Sequence, residues 1–162
     1  MRITTEGRKA QGRAGMKAMI VYDSTHGNTE KIAEAIAGGM GRGTKVRKPS
    51  AVGAEEMRGV DLLVVGSPTL GGRPSKAIQE FMDSIPKAVA GKLSIAAFDT
   101  RMSMKFAKIF GYAAARIAAR LQDNGSTLKS PPQGFIVTGR AGPLAEGELE
   151  RATAWGRGLS AP

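Results

Sequence analysis

Between Asp23 and Thr29 the chain reads DSTHGNT, and every position after the aspartate offers something to an anion. Ser24, Thr25, Asn28 and Thr29 carry hydroxyl or amide donors, Gly27 lets the backbone approach closely, and His26 is able to add a cation close by. An apolar run ends just before this stretch and a helix-period pattern starts at its end. The loop therefore feeds a helix N-terminus, whose unpaired N–H groups and positive dipole end favour negative charge. A triphosphate loop needs a lysine and a hydroxyl in the spacing G-x-x-x-x-G-K-[ST], and a dinucleotide loop needs G-x-G-x-x-G; both are absent. The pattern suits one terminal phosphate monoester held by neutral donors. Helix capping favours the same residue types and would explain one hydroxyl here; at this density the phosphate reading leads.

Other chemistries are excluded by what the chain lacks. With no cysteine, there is no disulfide, thiolate metal site or cysteine nucleophile, and a low-molecular-weight phosphatase is ruled out. The single histidine excludes an imidazole-rich metal centre. Asp23 and Asp61 invite a phospho-accepting receiver, but Asp61 opens its apolar run instead of closing it, and Arg140 follows the last run where a receiver needs lysine. The net charge of +10 invites nucleic acid, yet one tryptophan, two tyrosines and five phenylalanines supply no stacking platform, so only weak, salt-sensitive binding is expected. No apolar run approaches the length of a membrane span, and the protein reads as soluble and cytoplasmic.

The elements that must position the loop follow from hydropathy. At 162 residues and 41% hydrophobic, the chain suits one well-buried core. Residues 1–15, with Arg2, Arg8, Lys9 and Arg13 against Glu6, read as a basic disordered tail, or as an over-long start with Met16 as the natural beginning. Residues 16–162 read as a single domain. The runs AMIVY (18–22), DLLVVG (61–66), LSIAAF (93–98) and GFIVTG (134–139) are nearly continuous in apolar residues, as strands buried on both faces must be. TKVRK (44–48) alternates like an edge strand. Helix-period segments lie between them: 29–40 with Gly38, Gly39 and Gly41 as stops, 75–82, 107–123 and 146–159. This alternation predicts an α/β fold, a doubly wound parallel sheet of about five strands with helices on both faces, and ligands outside the strands' carboxyl ends.

STHGNT resembles the phosphate loop S/T-x-T-G-N-T of the flavodoxin family, with His26 where threonine is common. VVGSPTLGG (64–72) is similar to that family's loop after the third strand, AAFDTR (96–101) to the fourth-strand loop of its short-chain relatives, and GPLAEGELERATAWG (142–156) to its closing helix. These motifs fall in the family's order between Met16 and Leu159. The resemblance implies a flavodoxin-like sheet of order 2-1-3-4-5 and FMN as cofactor. Ser24, Thr25, His26, Gly27, Asn28 and Thr29 would hold the phosphate. Ser67, Pro68, Thr69, Leu70, Gly71 and Gly72 would line one side of the ring, and Asp99, Thr100, Arg101 and Met102 the other. The paired glycines would let the backbone reorient beside the ring, or serve a plain turn.

Two departures sharpen the expectation. Leu70 and Met102 stand where many relatives stack aromatic rings, so flavin affinity is expected to be weak, with Phe106 and Tyr112 able to reach back. Flavodoxins are usually acidic, whereas residues 101–120 hold Arg101, Lys105, Lys108, Arg116 and Arg120 with no acid. Arg101, with Arg73, is expected to stabilise reduced anionic flavin. The stretch would dock an acidic redox partner or rest on an anionic membrane surface, unless it is an ordinary amphipathic helix. The leading reading is an electron carrier with no catalytic side chain and no metal. The alternatives are a flavin-dependent reductase passing electrons from a nicotinamide to a quinone, and a fold module whose flavin site has decayed. No insertion is evident in the fifth strand to complete a second-substrate site.

Overall fold

The computed structural model describes residues 15–103 and 111–161. Of the expected tail only Gly15 falls within that range; Lys105, Phe106, Lys108 and the start of the helix expected from 107 lie outside the described residues.

β1 (Ala18–Tyr22) runs straight into the loop described above, and α1 (Asn28–Met40) carries the chain back to the edge strand β2 (Lys45–Arg47). A short 3-10 turn (Pro49–Ala51) and α2 (Ala54–Met57) lead to β3 (Leu62–Pro68). Then come α3 (Lys76–Ser84), α4 (Lys87–Ala90) and β4 (Ser94–Met102), followed by α5 (Ala113–Asp123), β5 (Thr127–Leu128), β6 (Gln133–Val137) and α6 (Glu148–Ser160). The pairings between these strands are parallel, in the order β2-β1-β3-β4, with the fifth position shared: β5 pairs Ser94 and Ile95, and β6 pairs Phe98 to Met102. The expected order 2-1-3-4-5 holds, but the sheet has six strands because Lys129 to Pro132 interrupt the fifth. Pro131 and Pro132 have no N–H to give a ladder, so pairing stops there.

Alternation of side chains splits the core by sheet face. Met19, Val21, Leu63, Val65, Ile95 and Ala97 face Ile78, Phe81, Ile117 and Leu121 of α3 and α5. Ile20, Val64, Ala96, Phe98 and Phe135 face Ile32, Ile36, Ala152 and Leu159 of α1 and α6. Both faces are covered, which is why these strands read as continuous apolar runs.

Gly38 and Gly39 lie inside α1 instead of ending it; Gly41, at φ 101°, is the stop. Gly39 is needed for packing: a Cβ there would strike the Thr153 carbonyl of α6, and one on Gly156 would strike the Ile36 carbonyl of α1. The two helices touch backbone to backbone, and that contact fixes where α1 points its N-terminus.

Candidate functional site

β1 ends at Tyr22, and the Asp23 N–H donates to the Gly66 carbonyl of β3 at 3.1 Å, tying the loop to the neighbouring strand. Asp23 Oδ1 accepts from the Ser24 N–H at 3.0 Å, and Ser24 Oγ accepts from the Gly27 N–H at 3.0 Å, so the turn closes on itself. Gly27 is the N-cap of α1, at φ 92°, a left-handed conformation that suits glycine. No side chain caps this helix. The capping explanation for the loop's hydroxyls therefore fails, and the first-turn N–H groups, which a helix cannot satisfy internally, remain for a ligand.

Asn28 and Thr29 are buried. The Thr29 hydroxyl lies 2.8 Å from that of Thr100, joining the loop to the end of β4. Tyr22 donates to Glu30 at 2.7 Å, and burial first, with the Glu30 carboxylate second, pushes its phenol up to about 12. These contacts hold the loop from below and behind.

The loop opens onto a cavity of about 680 Å³ at the carboxyl ends of β1, β3 and β4, within the size range of small-molecule sites. Ser24, Thr25, His26, Asn28 and Thr29 line it from the loop; Pro68, Thr69, Leu70 and Gly71 line it from the end of β3 and the turn after it, and Thr100, Arg101 and Met102 from the end of β4. Four expected residues do not line it. Gly27 shapes the helix start. Ser67 is buried, accepting from the Ser75 N–H at 2.8 Å and donating to the Pro68 carbonyl at 2.8 Å. Gly72 is buried in a turn in which Leu70 and Arg73 exchange backbone hydrogen bonds of 2.8 and 3.0 Å. Gly71 and Gly72 sit at φ 56° and 80°, so this tight turn alone requires both glycines. Asp99 is the fourth.

Asp99, Thr100 and Arg101 belong to β4 and not to a loop after it. Asp99 is 0% exposed, accepts from Arg101 Nε at 2.7 Å and Nη2 at 2.8 Å, and accepts from the Ala114 N–H at 2.9 Å. The Arg101 guanidinium lies 3.4 Å from the Tyr112 ring centre and covers Gly134, where any Cβ would collide with it. Its side chain is 19% exposed. Arg101 thus reaches the cavity with its charge already matched by a buried carboxylate, which weakens the expectation that it stabilises a reduced flavin. Arg73 does not line the cavity. Of the other basic residues expected nearby, Arg120 pairs with Asp83.

Leu70 and Met102 are 50% and 38% exposed at the rim, with no aromatic side chain among the described lining residues. The Ala113 N–H donates to Thr69 Oγ1 at 3.0 Å, and the Thr69 N–H to the Thr100 carbonyl at 2.9 Å, locking the β3 loop against β4 and α5.

Two lining residues, Val137 and Arg140, were not expected. They close and follow the last strand, and the rule that ligands sit at carboxyl ends would have nominated them. Their wall is anchored by Glu148, which accepts from the Ile136 N–H at 2.6 Å and pairs with Arg151 at 2.8 Å. The Arg151 hydrogen bond, followed by that from Ile136, holds the Glu148 carboxyl below its usual value despite burial.

A doubly wound parallel sheet with an uncapped, donor-rich loop at its carboxyl edge defines a class of phosphate-bearing cofactor binders. The family profile described as Flavodoxin matches residues 20–155, and the chain belongs to the flavodoxin family. The flavodoxin of Aquifex aeolicus (strain VF5) is 38% identical over 73 residues, a match that spans 43% of this chain and 40% of that relative's length. A flavodoxin from the domain Archaea superposes with a TM-score of 0.75 at 27% identity, covering 90% of this chain and 96% of that one. Oxidised flavodoxin 2 from Bacillus cereus gives 0.70 at 24% identity, covering 89% and 97%.

Proposed function

We propose that the protein is an electron carrier that holds one FMN in this cavity, its phosphate at the N-terminus of α1 and its ring between the β3 loop and the end of β4. The observation that carries the reading is the N-terminus of α1: no side chain caps it, and hydroxyl and amide donors surround it at one end of a cavity of about 680 Å³. The residues suit FMN. Ser24, Thr25, Asn28 and Thr29 offer neutral donors to a phosphate monoester, and no acidic residue is among the described residues that line the cavity. In this reading residues 16–162 form one FMN-binding domain with a cytoplasmic location.

When bound, FMN supplies the redox chemistry. The chain's own residues bind, orient and limit access. Thr29 and Thr100, joined by their hydroxyls, tie the phosphate loop to the end of β4. Pro68, Thr69 and Thr100 present backbone and small side chains to one part of the ring, while Leu70 and Met102 leave its edge open at the surface, where a partner protein can exchange electrons. No side chain is required as an acid or base. An acidic redox protein is the proposed partner, drawn by the net charge of +10. Among the described residues no helix is long and apolar enough to cross a membrane.

The test is addition of FMN to the flavin-free protein. Saturable quenching of flavin fluorescence supports the reading, and absence of quenching at micromolar protein favours a decayed site. Rapid NADPH oxidation with a quinone and no added reductase would replace the carrier reading with the reductase.

A further inference from the structure

We infer that Arg140 is a further cofactor-binding residue, the cation that faces the phosphate from outside the loop that otherwise binds it. The inference rests on the FMN reading above and adds a residue from the opposite end of the chain.

The loop Ser24–Thr29 contains no lysine or arginine. Among the described residues that line the cavity, three are able to carry positive charge: His26, Arg101 and Arg140. Arg101 is committed to Asp99 and the Tyr112 ring. Arg140 is exposed, and no hydrogen bond or ion pair to it is found among the described residues. No carboxylate among the described lining residues offsets its charge. Among the described lining residues Arg140 is thus the uncommitted guanidinium, and a wall that carries it calls for an anion.

The backbone puts the phosphate end within reach of that guanidinium. Gly139 to Gly142 form a turn closed by a hydrogen bond of 3.0 Å from the Gly142 N–H to the Gly139 carbonyl, with Arg140 at its first corner. The turn is braced from below: the Thr138 N–H and hydroxyl both donate to the Pro143 carbonyl, at 2.8 and 2.9 Å. Gly142 presses on α1, for a Cβ on it would lie 2.7 Å from Asn28 Oδ1. Arg140 and Gly142 are two residues apart, so their Cα atoms lie within about 7.6 Å of each other. An arginine side chain covers that distance, so from a position lining the same cavity the guanidinium can reach the mouth of the loop that starts α1. Its planar fork matches a phosphate in a two-point pair. A phosphate monoester is largely dianionic above pH 7, so the pair favours FMN over riboflavin, which has the same ring and no phosphate.

The experiment measures FMN and riboflavin affinity at pH 8 by fluorescence quenching, for the wild type, Arg140→Gln and Arg140→Lys, at low and high salt. The expected result is an FMN affinity lowered roughly tenfold in Arg140→Gln and partly kept in Arg140→Lys, with riboflavin affinity unchanged. Wild-type FMN affinity should also fall with salt while riboflavin affinity stays flat, a readout that needs no variant. Equal FMN affinity in the wild type and Arg140→Gln, or a parallel loss of riboflavin, overturns the role of Arg140 and leaves the FMN reading standing. A wild type that binds neither flavin overturns both.

Discussion

The two ends of the cavity are built on different principles. At the end proposed for the phosphate, Asn28 and Thr29 are buried, the Thr29 and Thr100 hydroxyls meet at 2.8 Å, and the turn carrying Gly142 presses against Asn28. At the ring end, Leu70 and Met102 stand 50% and 38% exposed, and the Tyr112 ring is covered by Arg101. The first is a fixed polar cradle and the second an open apolar ledge. On the proposed reading, affinity belongs to the polar end, while the apolar end leaves the flavin accessible. It also separates two arginines: Arg101 holds the wall together, and Arg140 has charge to spare.

The largest expected effect tests that separation. Arg101→Gln leaves the buried Asp99 carboxylate with the Ala114 N–H alone, and breaking such a pair costs about 3 kcal/mol in chemical denaturation. Adding Asp99→Asn should restore part of the loss; a stability unchanged by Arg101→Gln would return this arginine to the role of an electrostatic tuner. Next, Thr29→Val leaves the Thr100 hydroxyl unpaired, costing about 1–2 kcal/mol, and FMN affinity should fall about tenfold. Full FMN affinity in this variant would move the anchor away from the cradle.

A smaller effect concerns the wall that bears Val137 and Arg140. The Glu148 carboxyl titrates below its unfolded value of 4.5, so its contribution is present above that pH and is lost as pH falls through the folded value. Melting temperature should drop on acidification below about 4.5, and Glu148→Gln should flatten that limb while costing about 1 kcal/mol at neutral pH. An acid limb identical in wild type and variant would assign it elsewhere. Smallest is the gain at the ledge: Met102→Tyr adds a ring beside the flavin, worth about 1 kcal/mol or about fivefold in FMN affinity. A gain much larger than this would mean that the ring end, and not the cradle, limits binding.

Much of this was legible because buried parallel strands must be apolar on both faces, and because hydroxyls crowding a strand-to-helix junction have few explanations besides an anion. What escaped has physical reasons. Asp99 and Arg101 read as loop residues, yet each satisfies the other's charge, so β4 continues through them to Met102. The fifth strand read as one run because β5 is only Thr127 and Leu128, cut off by a proline pair. Gly39 read as a helix stop, since its true constraint is a carbonyl on α6, far along the chain. Arg140 carried only the signal of its place just past the last strand: its approach to the loop depends on Gly142 meeting Asn28, a contact between opposite ends of the sequence.

The central claim, that one FMN sits with its phosphate on the cradle at the start of α1, is tested most directly by titrating flavin-free wild-type protein into FMN and following flavin fluorescence. The account predicts saturable quenching at one FMN per chain, reversed by excess inorganic phosphate. Fluorescence that stays unchanged at micromolar protein would contradict it.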